Sequence, residues 1–164
     1  MAISREVAAV LLETARAGYV LRTLAQGAGT VTFQYVPMMC DRTPISLSLL
    51  DRFATLASDL LGRSVLPRRA KGAKYYGDTG WHRDSGHEIA SVGVVTYLDR
   101  VDSTNGALWV LAGSHAHREV PLPSIGSDGT AEALDTEPGD VIVFDEHLIH
   151  GSHGGGERRP AAIR

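Results

Sequence analysis

The stretch Gly80-Trp81-His82-Arg83-Asp84-Ser85 sets an imidazole and a carboxylate two positions apart. In extended backbone, residues i and i+2 project to the same face. His82 and Asp84 would then converge, with Trp81 and Arg83 pointing away. One imidazole nitrogen and one carboxylate oxygen supply two parts of the facial triad that holds non-haem Fe(II) with open positions. The third part has to be a second histidine from far along the chain. His150, in Leu148-Ile149-His150-Gly151, is the candidate. His147 and His153 flank it at spacings of three, but Gly151 and Gly154-Gly155-Gly156 argue against a helix. In extended chain, residues three apart face opposite ways, so only one of an adjacent pair can be a ligand. His147 then reads as a rim residue and His153 as a loop residue. His115 and His117 sit at a turn and read as non-ligating.

The elements around these residues change character along the chain. Residues 4–17 read as a helix, with Ser4 as N-cap, Glu6 in the first turn and Gly18 as the stop. Residues 19–21 read as a short strand. Residues 26–44 read as irregular apart from a strand-like piece at 31–36. A second helix is predicted over 46–61. Leu49, Leu50, Phe53, Leu56, Ala57, Leu60 and Leu61 form its core-facing stripe, and Gly62 closes it. From Val65 the hydrophobic period becomes two. Strands are predicted near 73–76, 80–83, 89–98, 107–111, 132–135, 141–144, 147–150 and 159–163, separated by Gly, Asn, Asp and Pro clusters. Thr104-Asn105-Gly106 and Pro138-Gly139-Asp140 read as tight turns, and Asp99, Asp102 and Asn105 as turn residues. The pattern predicts a mostly β fold with flanking helices. It is a jelly-roll or double-sheet barrel with N-terminal helices packed on one face. One domain is expected over 1–164, with 1–64 as helical support and 65–164 as barrel core.

Composition narrows the function classes. A chain of 164 residues is long enough to bury a core. A net charge of -3 gives no reason to expect nucleic acid or a membrane surface as partner. The apolar run at 7–12 is too short to span a bilayer, and Glu13 and Arg16 follow it rather than a cleavage-like site. A single cysteine, Cys40, excludes an internal disulfide and a Cys-rich zinc site, and fits a reducing cytoplasm. The expected partner is a small-molecule substrate.

Four segments in order carry a resemblance to a family. They are Gly80-Trp81-His82-Arg83-Asp84, Asn105 to His115, Pro138 to Asp145, and Leu148-Ile149-His150-Gly151-Ser152. Together they resemble the phytanoyl-CoA dioxygenase (PhyH-like) family of Fe(II)/2-oxoglutarate-dependent oxygenases. Gly18 to Arg22 and the helix ending at Gly62 resemble the family's early segments, so the likeness covers nearly the whole chain. Ala112 stands where the family usually has Pro. The resemblance implies a double-stranded β-helix of eight strands. It implies His82, Asp84 and His150 as iron ligands, with Fe(II), 2-oxoglutarate and O2 as cofactor and co-substrates. It implies Arg159 as partner of the distal 2-oxoglutarate carboxylate, helped by Ser152. The interval from His150 to Arg159 is shorter than is usual in the family, so Arg158 and Arg164 stay open as alternatives. An intact Asp84 implies oxygenation rather than halogenation. Hydroxylation of an aliphatic C–H of a small metabolite is the expected outcome; desaturation, epoxidation or cyclisation would use the same residues.

Candidate wall residues for the substrate are Gln34, Tyr35, Met38, Met39, Tyr76, His87 and Trp109. Lys74 is a candidate for a carboxylate of 2-oxoglutarate or of the substrate. The basic residues Arg63, Arg68, Arg69, Lys71 and Lys74 would attract an acidic substrate, or form a solvated loop. Three other readings compete: a barrel that binds a metal or small acid without turnover, a zinc hydrolase, and a cupin-type dioxygenase that needs no co-substrate. The chain lacks an H-E-x-x-H arrangement, which counts against the hydrolase.

Overall fold

A computed structural model describes residues 2, 5, 6, 8–10, 22–26, 29–68, 70–123, 130–154 and 161–163. The described chain builds two sheets. The larger has six strands in the order β1 (Arg22–Gln26), β2 (Gly29–Pro37), β3 (Lys71–Tyr76), β10 (Ala161–Ile163), β5 (Val92–Tyr97) and β8 (Ile142–Asp145). The smaller has four, in the order β4 (Thr79–His82), β9 (His150–Ser152), β6 (Leu108–Leu111) and β7 (Ala131–Leu134). All named pairings are antiparallel. From β3 to β10 the chain alternates between the sheets except at β6 and β7, which pair with each other in the smaller sheet; this is the double-stranded β-helix arrangement. Val95, Tyr97, Val101, Leu108, Val110 and Phe144 pack between the sheets as a buried cluster. Val95, Leu108 and Phe144 come from strands of both sheets, so the inner faces interdigitate.

Several expectations need correction. The strand-like piece expected at 31–36 lies within β2, but residues 26–44 are less irregular than expected: β1 and β2 pair from Arg22↔Phe33 to Gln26↔Gly29, and β2 pairs with β3. The larger sheet therefore begins well before residue 65. The strand expected at 147–150 begins at His150. Before it, Asp145 folds a turn, its Oδ1 accepting from the His147 backbone N–H at 2.8 Å and its carbonyl from Leu148 N–H at 2.9 Å. A local Asx-type turn replaces the strand ladder there.

The helix expected over 46–61 is interrupted. A single turn at Pro44–Leu47 precedes α1 (Leu50–Leu61). The turn is capped by Glu6, whose carboxylate accepts from Ile45 N–H and Ser46 N–H, both at 2.7 Å. Gly62 ends α1 in the left-handed region, φ 63°, as a C-terminal glycine should. The apolar stripe of α1 is wider than its buried face, since Leu60 is 60% exposed. The helix expected over 4–17 and the strand at 19–21 lie mostly outside the described residues; residues 5, 6 and 8–10 are helical. No described helix is long and apolar enough to cross a membrane.

Candidate metal centre and its cavity

β4 and β9 lie side by side, with His82 and His150 as register partners. Partners in a ladder project to the same face, so the two rings meet, with centroids 4.3 Å apart. Asp84 lies just beyond the end of β4. Its backbone N–H and that of Ser85 both donate to Glu146 O, at 2.9 and 3.1 Å. This pins the chain end against the turn that leads into β9. The carboxylate then faces both rings: Oδ1 is 3.6 Å from His82 Nε2, and Oδ2 is 3.5 Å from His150 Nε2. Among the described residues, His82, Asp84 and His150 are the group whose donor atoms all fall within 4.8 Å of one another. His150 is fully buried.

The far nitrogen of each ring fixes its chemistry. His82 Nδ1 is 2.8 Å from Gly80 O, and His150 Nδ1 is 2.9 Å from Leu148 O. A carbonyl oxygen only accepts, so each Nδ1 must carry the proton. The neutral ring then has its lone pair on Nε2, aimed at the shared point. Metal-ligating histidines are held in this way, by a hydrogen bond from the other ring nitrogen. Two such lone pairs and a carboxylate oxygen fit a divalent transition metal with open positions.

The remaining histidines separate clearly. His147 is not a rim residue but is 2% exposed. Its Nδ1 bonds Asp145 Oδ1 at 2.7 Å and its Nε2 bonds His87 O. Burial raises the Asp145 carboxyl, but the hydrogen bonds from the His147 backbone and ring outweigh it and hold the pKa below the ordinary 3.8. His115 and His117 are exposed at and beside a single 3-10 turn and are not part of the converging ligand group. His153 folds against Trp81 and Trp109, with ring centroids 5.0 and 6.4 Å away.

Register decides the fate of the other candidates. Ala73 pairs with Ala162, and Ala162 with Tyr97 of the core cluster, so position 73 shares the inner face. Lys74, one residue on, faces the other way, as does Gln34, its register partner. Tyr76 shares that outer face, and Lys74 Nζ lies 5.5 Å from its ring centroid. Trp109 pairs with Gly151 and alternates with the inward Leu108 and Val110, which puts it on the outer face of the smaller sheet. Lys74, Gln34, Tyr76 and Trp109 therefore do not line the metal centre. Ser152 shares the inner face with His150. Its hydroxyl donates to Gly106 O at 2.8 Å and Ala107 O at 3.1 Å, which commits its one proton to the backbone. Arg158, Arg159 and Arg164 lie outside the described residues, as does Arg69.

One cavity of about 820 Å³ opens beside the triad. Leu50, Phe53 and Ala57 of α1 form one wall, and β5 forms another. His87 and Met39 are the candidate wall residues that do border it. At its inner end it touches Asp84 and Phe144, the side chains that contact His150. Leu66 and Ile89, at its border, are 94% and 74% exposed. Arg63, Arg68 and Lys71 also border it, and no side-chain hydrogen bond or ion pair engages them among the described residues.

Three positioning residues escaped the sequence reading. Ser114, 4% exposed, accepts the Ile149 N–H on Oγ at 2.8 Å and so fixes the approach to His150. Its signal was present in Ala112-Gly113-Ser114, where Gly113 turns at φ 79°. His147 and Phe144 carried no local signal, because their roles depend on partners elsewhere in the chain.

The sequence matches the phytanoyl-CoA dioxygenase (PhyH) family over residues 26–161. The chain belongs to that family. No curated protein sequence matches it. Solved structures of like fold include AviO1 from Streptomyces viridochromogenes Tue57, 22% identical with TM-score 0.70, matched over 99% of this chain and 81% of that one. EvdMO1 is 24% identical with TM-score 0.72, over 99% of this chain and 43% of its own. The epimerase SnoN, in complex with Fe3+, alpha-ketoglutarate and nogalamycin RO, is 22% identical with TM-score 0.65, over 96% and 72%. At these identities the likeness is one of fold. The fold of this PhyH-family member is accordingly the double-stranded β-helix that the resemblance implies, in line with the double-sheet barrel expected from its strand pattern.

Proposed function

We propose that this PhyH-family chain is a non-haem Fe(II)- and 2-oxoglutarate-dependent oxygenase that hydroxylates an aliphatic C–H of a small, largely apolar molecule. The observation that carries the reading is the convergence of His82 Nε2, His150 Nε2 and the Asp84 carboxylate within 4.8 Å, with both Nδ1 atoms committed to carbonyls. The Fe3+ and alpha-ketoglutarate of SnoN support the same cofactor set. Bound iron, with 2-oxoglutarate and O2, would supply the oxidant for C–H cleavage, releasing succinate and carbon dioxide. His82, Asp84 and His150 would hold it on one side and leave the cavity side open. The apolar cavity would hold the substrate and exclude water.

The distal carboxylate of 2-oxoglutarate needs a cation. The family resemblance implies Arg159 for this role, with Arg158 and Arg164 as alternatives; that Lys74 faces away and Ser152 has spent its proton supports an arginine from this segment. The first test is succinate formation by protein supplied with Fe(II), ascorbate, 2-oxoglutarate and air, beside Asp84→Ala. Uncoupled turnover needs no true substrate. Formation that Asp84→Ala abolishes is expected; equal formation by both proteins would reject the triad. Single Ala variants at the three arginines should identify one whose loss weakens 2-oxoglutarate binding about 100-fold, as expected for an unpaired charge-assisted contact.

A further inference from the structure

Phe144 stands between the cavity, which reaches Asp84 directly, and His150 of the triad. It projects inward from β8, is 7% exposed, and meets His150 edge-on with centroids 4.9 Å apart and planes at 61°. It also borders the cavity, whereas neither His82 nor His150 does. Its register partner across the ladder is Gly93 of β5. A Cβ on Gly93 would lie 2.6, 2.9 and 3.1 Å from Cζ, Cε1 and Cε2 of the ring. The far end of the ring therefore rests on bare backbone, in the space a side chain would take. A strand interior gains nothing from glycine in propensity, and its presence marks a close approach. At this point the approach is that of one aromatic ring, braced between Gly93 on one sheet and His150 on the other.

We propose that the cavity takes an apolar substrate body, and that Phe144, seated on Gly93 and edge-on to His150, sets both how far that body reaches and how His150 is held. The proposal rests on the oxygenase reading for the identity of the site and adds its specificity-determining residue. Phe144 touches no metal; it acts by position. The seat makes the arrangement stiff, because the ring cannot tilt toward Gly93 without meeting the backbone. A ring displaced from Gly93 would press on His150 or enter the cavity, the two neighbours it already meets. Enlarging residue 93 should push it one of those two ways. Shrinking residue 144 should lengthen the cavity toward the triad.

The test uses the whole chain and two probes, Ni(II) alone by calorimetry and the apolar anion anilinonaphthalene sulfonate by fluorescence. Four proteins form a cycle: wild type, Gly93→Ala, Phe144→Leu and the double variant. Ala54→Phe, on the α1 wall of the cavity, is a fifth. Gly93→Ala is expected to weaken Ni(II) about tenfold when Phe144 is present, the size typical of groups that orient a ligand. It should have no effect in the Phe144→Leu background, because the clash is then gone. Phe144→Leu should itself weaken Ni(II) several-fold and change dye affinity. Ala54→Phe should reduce dye binding and leave Ni(II) unchanged.

Ni(II) affinity equal in all four proteins of the cycle, or additive losses, would overturn the positioning role and leave Phe144 as core packing. Dye binding indifferent to both Ala54→Phe and Phe144→Leu would overturn the cavity assignment. If Gly93→Ala fails to fold, Phe144→Leu alone decides, through its Ni(II) and dye affinities. Failure of the underlying oxygenase reading looks different: wild type would bind no Ni(II), or would form no succinate.

Discussion

At the scale of single residues, the site depends on hydrogen bonds that leave no choice of proton. Gly80 O and Leu148 O can only accept, so each Nδ1 donates, and the neutral form of each imidazole carries its lone pair on Nε2. That arrangement comes from backbone carbonyls two residues upstream and cannot be removed by substituting another side chain. It explains why the H-x-D triplet was legible: histidine and carboxylate types report ligand chemistry directly. The inward or outward sense of Lys74 and Trp109 was not legible, because it is set by register with strands far away in sequence. Ser114 offers a sharp test at this scale. Ser114→Ala leaves the buried Ile149 N–H without its acceptor, which costs about 1–3 kcal/mol. A melting temperature lower by about 2–10 °C is expected. Because Ile149 precedes His150, a loss of Ni(II) affinity of about tenfold should accompany it. A stability loss with unchanged affinity would confine Ser114 to packing.

At the scale of elements, the short connection from β8 to β9 does more positioning than either strand. Glu146 O receives the N–H groups of Asp84 and Ser85, Asp145 folds the turn, and Arg83 Nε donates to His147 O at 3.0 Å. The sequence pattern showed a strand at 147–150 because the apolar Leu148-Ile149 pair runs into His150. It could not show that Asp145 would capture the His147 N–H and bend the chain first. The strand character of 31–36 was readable, but the sheet β2 joins was not: its partner β3 begins 34 positions after β2 ends, at Lys71 against Pro37. The later strands, with glycine-rich turns between them, were readable from local period alone. Asp145 makes the turn testable by pH. Its folded pKa lies below the ordinary 3.8, so the stabilisation is present above 3.8 and is lost as pH falls through the folded value. Asp145→Asn should melt below wild type at neutral pH, and the gap should close in acid below 3.8. A gap that stays constant with pH would mean the turn relies on the Asp145 backbone and not on its charge.

At the scale of the whole molecule, charge and shape oppose each other. The chain carries a net charge of -3, yet Arg63, Arg68 and Lys71 border the cavity with no ion pair to neutralise them among the described residues. Like charges gathered at one opening repel in the folded state, and the cavity's own acidic borders, Asp84 and Glu146, lie at its inner end and in the turn below. An anion such as 2-oxoglutarate would be drawn to the basic residues at the mouth, and a cation slowed. Such steering acts over distances that salt screens. The association rate of 2-oxoglutarate with metal-loaded protein should fall about threefold or more between low and physiological ionic strength, while dissociation changes little. Arg63→Ser with Arg68→Ser should lower the low-salt rate and flatten its salt dependence. The same pair should leave Ni(II) affinity untouched, since neither arginine contacts a triad residue. A salt dependence of equal slope in both proteins would place the steering elsewhere and return the basic mouth to a solvated loop.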